Sequence, residues 1–246
     1  MTNSTDERPG YYAHLDFNSP LSGPRADTLA AAIARRGPHS VLDIGCGWAE
    51  LLLRIVAAAP GAHGLGVDSD ERLIARGRTN AANRGLSERV ELRISDGSQP
   101  LDPADAVTCI GADHVFGTQA EALAALHPLV RPGGVLLFGT GYWQRPPTMA
   151  EAAGLGATPD ELPELAELVD TCVAAGFRVL DLHTANEDEW NEFESGYLAD
   201  LEEYLMTHPS DDARRVEADE HRAGWLRGYR GVLGFAYLTL GVPSVR

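Results

Sequence analysis

The chain is short of positive charge. It carries 20 basic residues against 36 acidic ones, a formal net charge of −16 over 246 residues. A surface of that sign repels phosphate backbones and anionic headgroups, so nucleic acid and membrane are poor candidates for partners. Only a weak basic patch, Arg214-Arg215 to Arg230, runs against this average. Cysteine is scarce too. Cys46, Cys109 and Cys172 stand far apart with no Cys-x-x-Cys pair. An odd, unframed set of this kind predicts reduced thiols, with no disulfide and no zinc site. No apolar run approaches bilayer-spanning length, and MTNSTDERPGYY offers no apolar stretch for a signal peptide. The expectation is a soluble, cytoplasmic protein. Repeats and low-complexity tracts are also lacking. With 44% hydrophobic and 23% charged residues, the composition is that of an ordinary globular chain with an adequate core.

What is present is alternation. A polar arm over residues 1–25, with three prolines, precedes a helix from Arg25 that Gly37-Pro38 ends. Short apolar runs then follow at 41–44, 62–68, 90–95, 105–111, 135–141 and 177–184. Helical patterns separate most of them, and Pro60-Gly61, Gly85 and the turn Arg131-Pro132-Gly133-Gly134 punctuate them. This βα rhythm predicts an α/β fold with a parallel sheet and helices on both faces. It breaks after residue 185. EDEWNEFESGYLADLEEYLMTHP sets Trp190, Phe193, Tyr197 and Leu201 at helical spacing, and a second helix is expected from Asp211 to about Arg230. The acids between them read as a solvated face. Residues 231–242 then read as a seventh strand, because three glycines argue against a core helix. Residues 186–230 are thus a two-helix insertion between strands six and seven, within one domain over 1–246.

The first βα turn is VLDIGCGWAE, residues 41–50. In such sheets ligands bind beyond the carboxyl ends of the strands, and Gly45 and Gly47 let backbone approach a ligand closely. A dinucleotide site wants a third glycine where this chain has Glu50. Two carboxylates near the turn, Asp43 and Glu50, would repel a pyrophosphate and suit a ligand whose near end carries an ammonium group. Cys46, between the glycines, reads as a small packing residue.

At this point the chain resembles the class I S-adenosylmethionine (SAM) dependent methyltransferases. Asp43-Ile44-Gly45-Cys46-Gly47 is similar to their first motif, and GVD, SDG, DAVTCIGA and LVRPGGVLLFG follow in the family's order. The resemblance covers residues 40–141 by motif and the whole chain by element order. It implies a Rossmann-like, doubly wound seven-stranded sheet of order 3-2-1-4-5-7-6, with strand seven antiparallel between five and six. It implies SAM as cofactor and S-adenosylhomocysteine as product. Asp68, with Ser69, would take the ribose hydroxyls, since a carboxylate accepts from both. Ser95, Asp96 and Gly97 would meet the adenine, and Asp43, Gly45, Cys46, Gly47 and Gly111 would complete the cofactor site. The chain is also similar to a little-characterised bacterial group of this superfamily, on GADHVFG, GYWQRPP, EDEWNEFE and GFAYLTL, with a C-terminal helical lid. That likeness implies a small-molecule acceptor without naming one.

On the acceptor side, Asp113-His114 follows the fourth strand, where a histidine is placed to act as general base near neutral pH. Tyr142, Trp143 and Tyr197 join His114 as expected substrate contacts. His221, Trp225 and Tyr229 share a helical face, but no further ligands are spaced for zinc. Methyl transfer from a sulfonium is an in-line displacement, and orientation alone can supply ~7–11 kcal/mol. A lid that excludes water strengthens the remaining electrostatics, and the arm and the 186–230 insertion are the segments available for it. A hydroxyl, phenol or protonated amine acceptor needs the base; a thiol, thiolate or neutral amine does not. Two alternatives stand beside this reading: a SAM-binding regulator without catalysis, and a nicotinamide-dependent reductase, which the missing third glycine disfavours. The sequence sets no oligomeric state.

Overall fold

A computed structural model describes residues 10–96 and 99–244 of the chain. Seven strands form one sheet: β1 (Ser40–Ile44), β2 (His63–Asp68), β3 (Val90–Ile94), β4 (Ala104–Ile110), β5 (Val130–Trp143), β6 (Arg178–Thr184) and β7 (Leu233–Gly241). Their order is β3-β2-β1-β4-β5-β7-β6. The pairs β1–β2, β1–β4, β2–β3 and β4–β5 are parallel, and β7 runs antiparallel to β6. The order turns back at β1 and β4, where a ligand crevice opens in sheets of this kind.

Burial follows position in the sheet. Every residue of β7, which lies inside the edge strand, is buried, as are the last four of β1, whereas the edge strand β6 is largely exposed. Inner strands therefore read as mainly apolar runs, with Asp43 and Thr239 the buried polar exceptions in these two, and the edge strand does not. The expected Arg131–Gly134 turn is instead the irregular start of β5. Val130 pairs with Ala104 and Val135 with Ala106, and the intervening residues bulge out. Gly133 (φ +84°) donates its N–H to the Val242 carbonyl at 2.9 Å, which holds the bulge in place.

The helices are α1 (Gly23–Ala34), α2 (Glu50–Ala58), α3 (Glu71–Asn83), α4 (Gln119–Leu126), α5 (Met149–Gly154), α6 (Leu165–Ala174), α7 (Glu187–Thr207) and α8 (Asp212–Gly224). Side-chain caps start most of them. Asp70 accepts the Arg72 N–H at 2.8 Å to open α3, and Thr118–Glu121, Thr148–Glu151 and Asn186–Glu189 are reciprocal capping boxes for α4, α5 and α7. In contrast, α2 starts from Ala49 in the left-handed region (φ +60°), with no side-chain cap. The second insertion helix extends as far as its pattern suggested, but it changes character: α8 ends at Gly224 and passes directly into a single π-turn over Trp225–Tyr229.

Two compact units make up the described residues. One comprises residues 22–141, 165–184 and 235–244; the other comprises 10–21, 142–164 and 185–234. In the first, β1, β2 and α2 bury Leu42, Ile44, Val67, Leu52, Leu53 and Ile55 almost completely, each worth about 1.5–3 kcal/mol against exposure. In the second, Trp143, Ala152, Tyr229, Val232 and Leu233 form a core cluster. There α5 meets the π-turn through backbone. A Cβ on Gly154 would lie 2.7 Å from the Gly224 carbonyl oxygen and 2.9 Å from the Gly228 Cα. No helix among the described residues is long and apolar enough to cross a membrane.

Candidate active site

The carboxyl ends of β1, β2, β3 and β4 are stitched together by the residues that follow them. Cys46 donates its N–H to the Val67 carbonyl at 3.0 Å, and Ser95 donates its N–H to the Asp68 carbonyl at 2.9 Å. Gly45 (φ +67°) passes so close to the loop after β4 that a Cβ there would lie 2.3 Å from the Ala112 Cβ. Gly47 (φ +53°) is different: nothing stands within 4 Å of where its Cβ would be. One glycine closes the turn against protein and the other leaves it open.

Asp68 joins the two sides. One carboxylate oxygen accepts the Gly47 N–H at 2.8 Å and the other accepts the Asp70 N–H at 2.9 Å. A carboxylate has about four acceptor positions, so two remain for other donors. Asp43 lies deeper. It is 4% exposed and accepts from the Thr108 hydroxyl on β4 at 2.5 Å. Burial pushes its carboxyl up to about 7, the Asp68 charge pushes the same way, and the Thr108 hydrogen bond opposes them. The Cys46 thiol is also held well above its ordinary range, by burial first and then by Asp43 and Asp68, so it stays protonated and unreactive.

Glu50 needs a correction. The sequence suggested two carboxylates setting the charge of the turn, Asp43 and Glu50. In the structure Glu50 is 8% exposed and neutralised by α2 and the residue that caps α3: it accepts from Arg54 Nε at 2.8 Å and from Arg84 at 2.6 Å. Asp43 is bonded to Thr108, so Asp68 is the acid that sits on the open glycine. Trp48, beside it in the turn, is buried under the Arg76 guanidinium, 4.1 Å from the ring centre.

After β4, Gly111 (φ +68°) donates its N–H to the Gly139 carbonyl at 2.8 Å, and Asp113-His114 open a 3-10 turn over Asp113–Phe116. Asp113 accepts from the Thr140 hydroxyl at 2.9 Å, and Gln119 Nε2 donates to Thr140 Oγ1 (2.8 Å) and to the Gly141 carbonyl (2.7 Å). Burial raises the Asp113 carboxyl above its ordinary value although the Thr140 hydrogen bond resists. His114 is exposed on this turn. Thr108, Thr140 and Gln119 had no sequence signal, because each acts through a partner distant in sequence.

Ser69 and Asp96 are exposed, next to Asp68 and Ser95 respectively, and Gly97 lies outside the described residues. The expected acceptor contacts Tyr142, Trp143 and Tyr197 fall in the other unit. Tyr142 is buried, with its ring over Gly234, where a Cβ would be 2.3 Å from Cζ. Trp143 is an interior residue, 2% exposed, and its indole donates to the Pro159 carbonyl at 3.0 Å. Tyr197 stacks on His221 at 4.8 Å between ring centres. His221 and Tyr229 both bond Glu194, at 2.8 and 2.7 Å, so two of the three residues on that helical face are tied to a carboxylate 2% exposed.

The sheet order, the antiparallel last strand and the glycine turn at the β1–β4 reversal define a Rossmann-like methyltransferase fold. The comparisons agree. Residues 42–136 match the family described as a methyltransferase domain. The chain is 29% identical over 209 residues to YjhP of Escherichia coli, an uncharacterised protein, across 82% of this chain and 84% of that one. A SAM-dependent methyltransferase from Geobacter sulfurreducens, crystallised with S-adenosyl-L-homocysteine, superposes with a TM-score of 0.84 at 26% identity, covering 91% of this chain and 92% of that one. One from Thiobacillus denitrificans, in complex with the same compound, shares the fold at 24% identity and TM-score 0.84, over 92% and 94% of the two chains. A methyltransferase domain over residues 42–136 and a shared fold over nine-tenths of the chain make it similar to the SAM-dependent methyltransferases.

Proposed function

We propose that the chain transfers the methyl group of SAM to an oxygen or nitrogen of a small molecule. One observation carries this reading: the Asp68 carboxylate rests on the N–H of the one glycine in the turn that faces open space. That cradle suits an amino-acid nucleoside. Asp68 keeps acceptor positions for vicinal hydroxyls, and a side chain at position 47 would occupy the space beside them. When bound, SAM supplies a methyl group on a sulfonium, displaced in line by the acceptor atom.

The chain's own residues then have separable tasks. Asp68, Gly47, Ser95 and Asp96 hold the nucleoside. Asp43 is kept in place by Thr108, and Glu50 is occupied with Arg54 and Arg84 and fixes the start of α2. Asp113, bonded by Thr140, which Gln119 holds in turn, sets the 3-10 turn that presents His114. His114 takes the proton of a hydroxyl or ammonium acceptor. The net charge of −16 supports a small molecule over RNA.

The test is direct. Purified protein is titrated with SAM and with NADH by calorimetry. It is then incubated with isotope-labelled SAM and fractionated metabolite pools, and labelled products are sought by mass spectrometry. Saturable SAM binding with label in a low-molecular-weight product is expected. A preference for NADH, or SAM binding with no labelled product in any fraction, rejects the proposal.

A further inference from the structure

The unit that contains α7 and α8 encloses a cavity of about 290 Å³, at the low end of ligand sites. Its lining has two characters. Trp190, Trp225 and Tyr229 line it, and so do Glu187, Arg230 and Gln144. Tyr229 and Leu233, at 5% and 7% exposed, belong to its closed end. The Glu187 and Arg230 side chains, at 72% and 42% exposed, belong to its mouth.

The closed end is set for a flat apolar group. Trp190 and Tyr229 stand 6.4 Å apart between ring centres. The Tyr229 hydroxyl is fixed on Glu194 at 2.7 Å, which leaves its ring as the surface it can offer. Trp225 and Tyr229 sit at the two ends of the π-turn, a rare element that recurs at functional sites. Backbone contact of Gly224 and Gly228 with Gly154 holds that turn rigid.

The mouth carries both signs of charge. Arg230 Nη2 donates to Glu187 and reaches Asn191 Oδ1 at 3.5 Å. A guanidinium has five N–H donors and a carboxylate about four acceptor positions, so their mutual bond leaves most of both unused. Gln144 Nε2 donates to the Leu233 carbonyl at 3.1 Å, which leaves its amide oxygen as an acceptor. An anion alone would meet Glu187, and a cation alone would meet Arg230. A neutral ring would strip water from the pair and return no bond. A molecule with a carboxylate and an ammonium on adjacent atoms answers both poles, the carboxylate in the fork geometry that arginine favours.

We infer that this cavity binds a free aromatic amino acid as its zwitterion: the ring against Trp190, Trp225 and Tyr229, the carboxylate on Arg230, and the ammonium on Glu187 and the Gln144 amide oxygen. The inference stands apart from the methyl-transfer reading, since it concerns binding by this unit alone.

Calorimetry on the full chain tests it with L-phenylalanine and three trimmed probes. Phenethylamine lacks the carboxylate, phenylpropionate lacks the ammonium, and L-alanine lacks the ring. Phenylalanine is expected to bind saturably at one site, with each trimmed probe at least about tenfold weaker. Arg230→Gln should cost phenylalanine about tenfold and close its gap over phenethylamine. Glu187→Gln should cost it about as much and close the gap over phenylpropionate instead. Both side chains are exposed, so neither variant threatens the fold. Absence of saturable phenylalanine binding, a trimmed probe that binds as tightly, or a gap that either variant leaves unchanged overturns the inference.

Discussion

One carboxylate, Asp68, bonds the Gly47 N–H at 2.8 Å and so ties the end of β2 to the glycine turn after β1. The acid expected on a ribose is therefore also the clasp of the turn that would receive it. Asp68→Ala should lower SAM affinity at least tenfold and cost about 1.5–3 kcal/mol of stability, because two backbone N–H groups lose a charged acceptor. Calorimetric titration and urea unfolding measure the two effects. Wild-type affinity in this variant would show that the nucleoside does not sit on β2.

The two glycines of the turn should fail differently. Gly45→Ala forces a Cβ to within 2.3 Å of the Ala112 Cβ at a positive φ, and about 1–3 kcal/mol of overpacking adds to the backbone strain. Its unfolding midpoint should drop sharply. Gly47→Ala meets no protein atom, so it carries only the strain of φ +53°, about 1–2 kcal/mol, yet it fills the open side of the turn. Its signature is a loss of SAM affinity out of proportion to its loss of stability. If the two variants behave alike, the space beside Gly47 is not where the ligand lies.

Asp43 gives the protein a pH signature. Its carboxyl titrates near 7 in the fold, because of burial, against 3.8 for an unperturbed carboxyl. The protonated form is the one the fold favours. Its contribution is fully present below 3.8 and is lost as pH rises through about 7, roughly 4 kcal/mol over the whole range. Between about pH 6 and about pH 8 the expected loss is roughly 1.4 kcal/mol. Asp43→Asn should remove that difference while keeping an acceptor for Thr108. Denaturant unfolding of both proteins at the two pH values checks it, and parallel pH profiles would mean that Asp43 is ionised throughout.

His114→Ala should reduce methyl transfer about a hundredfold once an acceptor is in hand, with SAM affinity unchanged. Single-turnover rates across pH are the useful readout. Loss of the ascending limb of the pH–rate profile marks a base, and an undiminished rate makes His114 a residue of the turn and nothing more.

Much of this fold was legible because strands and breakers alternate so regularly. VLDI, GVD and VLLFG are short apolar runs with Gly or Pro beside them, and no helix fits between those breakers. The order of the sheet came from the resemblance and agrees with the structure. The hidden parts depend on partners distant in sequence. Glu50 looks like a bare acid until Arg84, thirty-four residues away, is found on it. Thr108 and Asp43 meet across neighbouring strands. Trp143 sits where a pocket residue was expected, and its burial in the core cluster, with the indole on the Pro159 carbonyl, has no signal in the local sequence. α5 follows a proline-rich stretch that hides it, although Thr148 and Glu151 spell its capping box. The π-turn has no periodicity to betray it.

The joint between Gly154 and the pair Gly224 and Gly228 has a mechanical meaning. Main chain bears directly on main chain there, and a peptide cannot swing out of the way as a side chain can. Growing even one methyl group at any of the three points would act as a wedge. Two tryptophan- and tyrosine-bearing ends of a wide turn are thus bolted to a helix of six residues, and the bolt works because it is made of nothing but backbone.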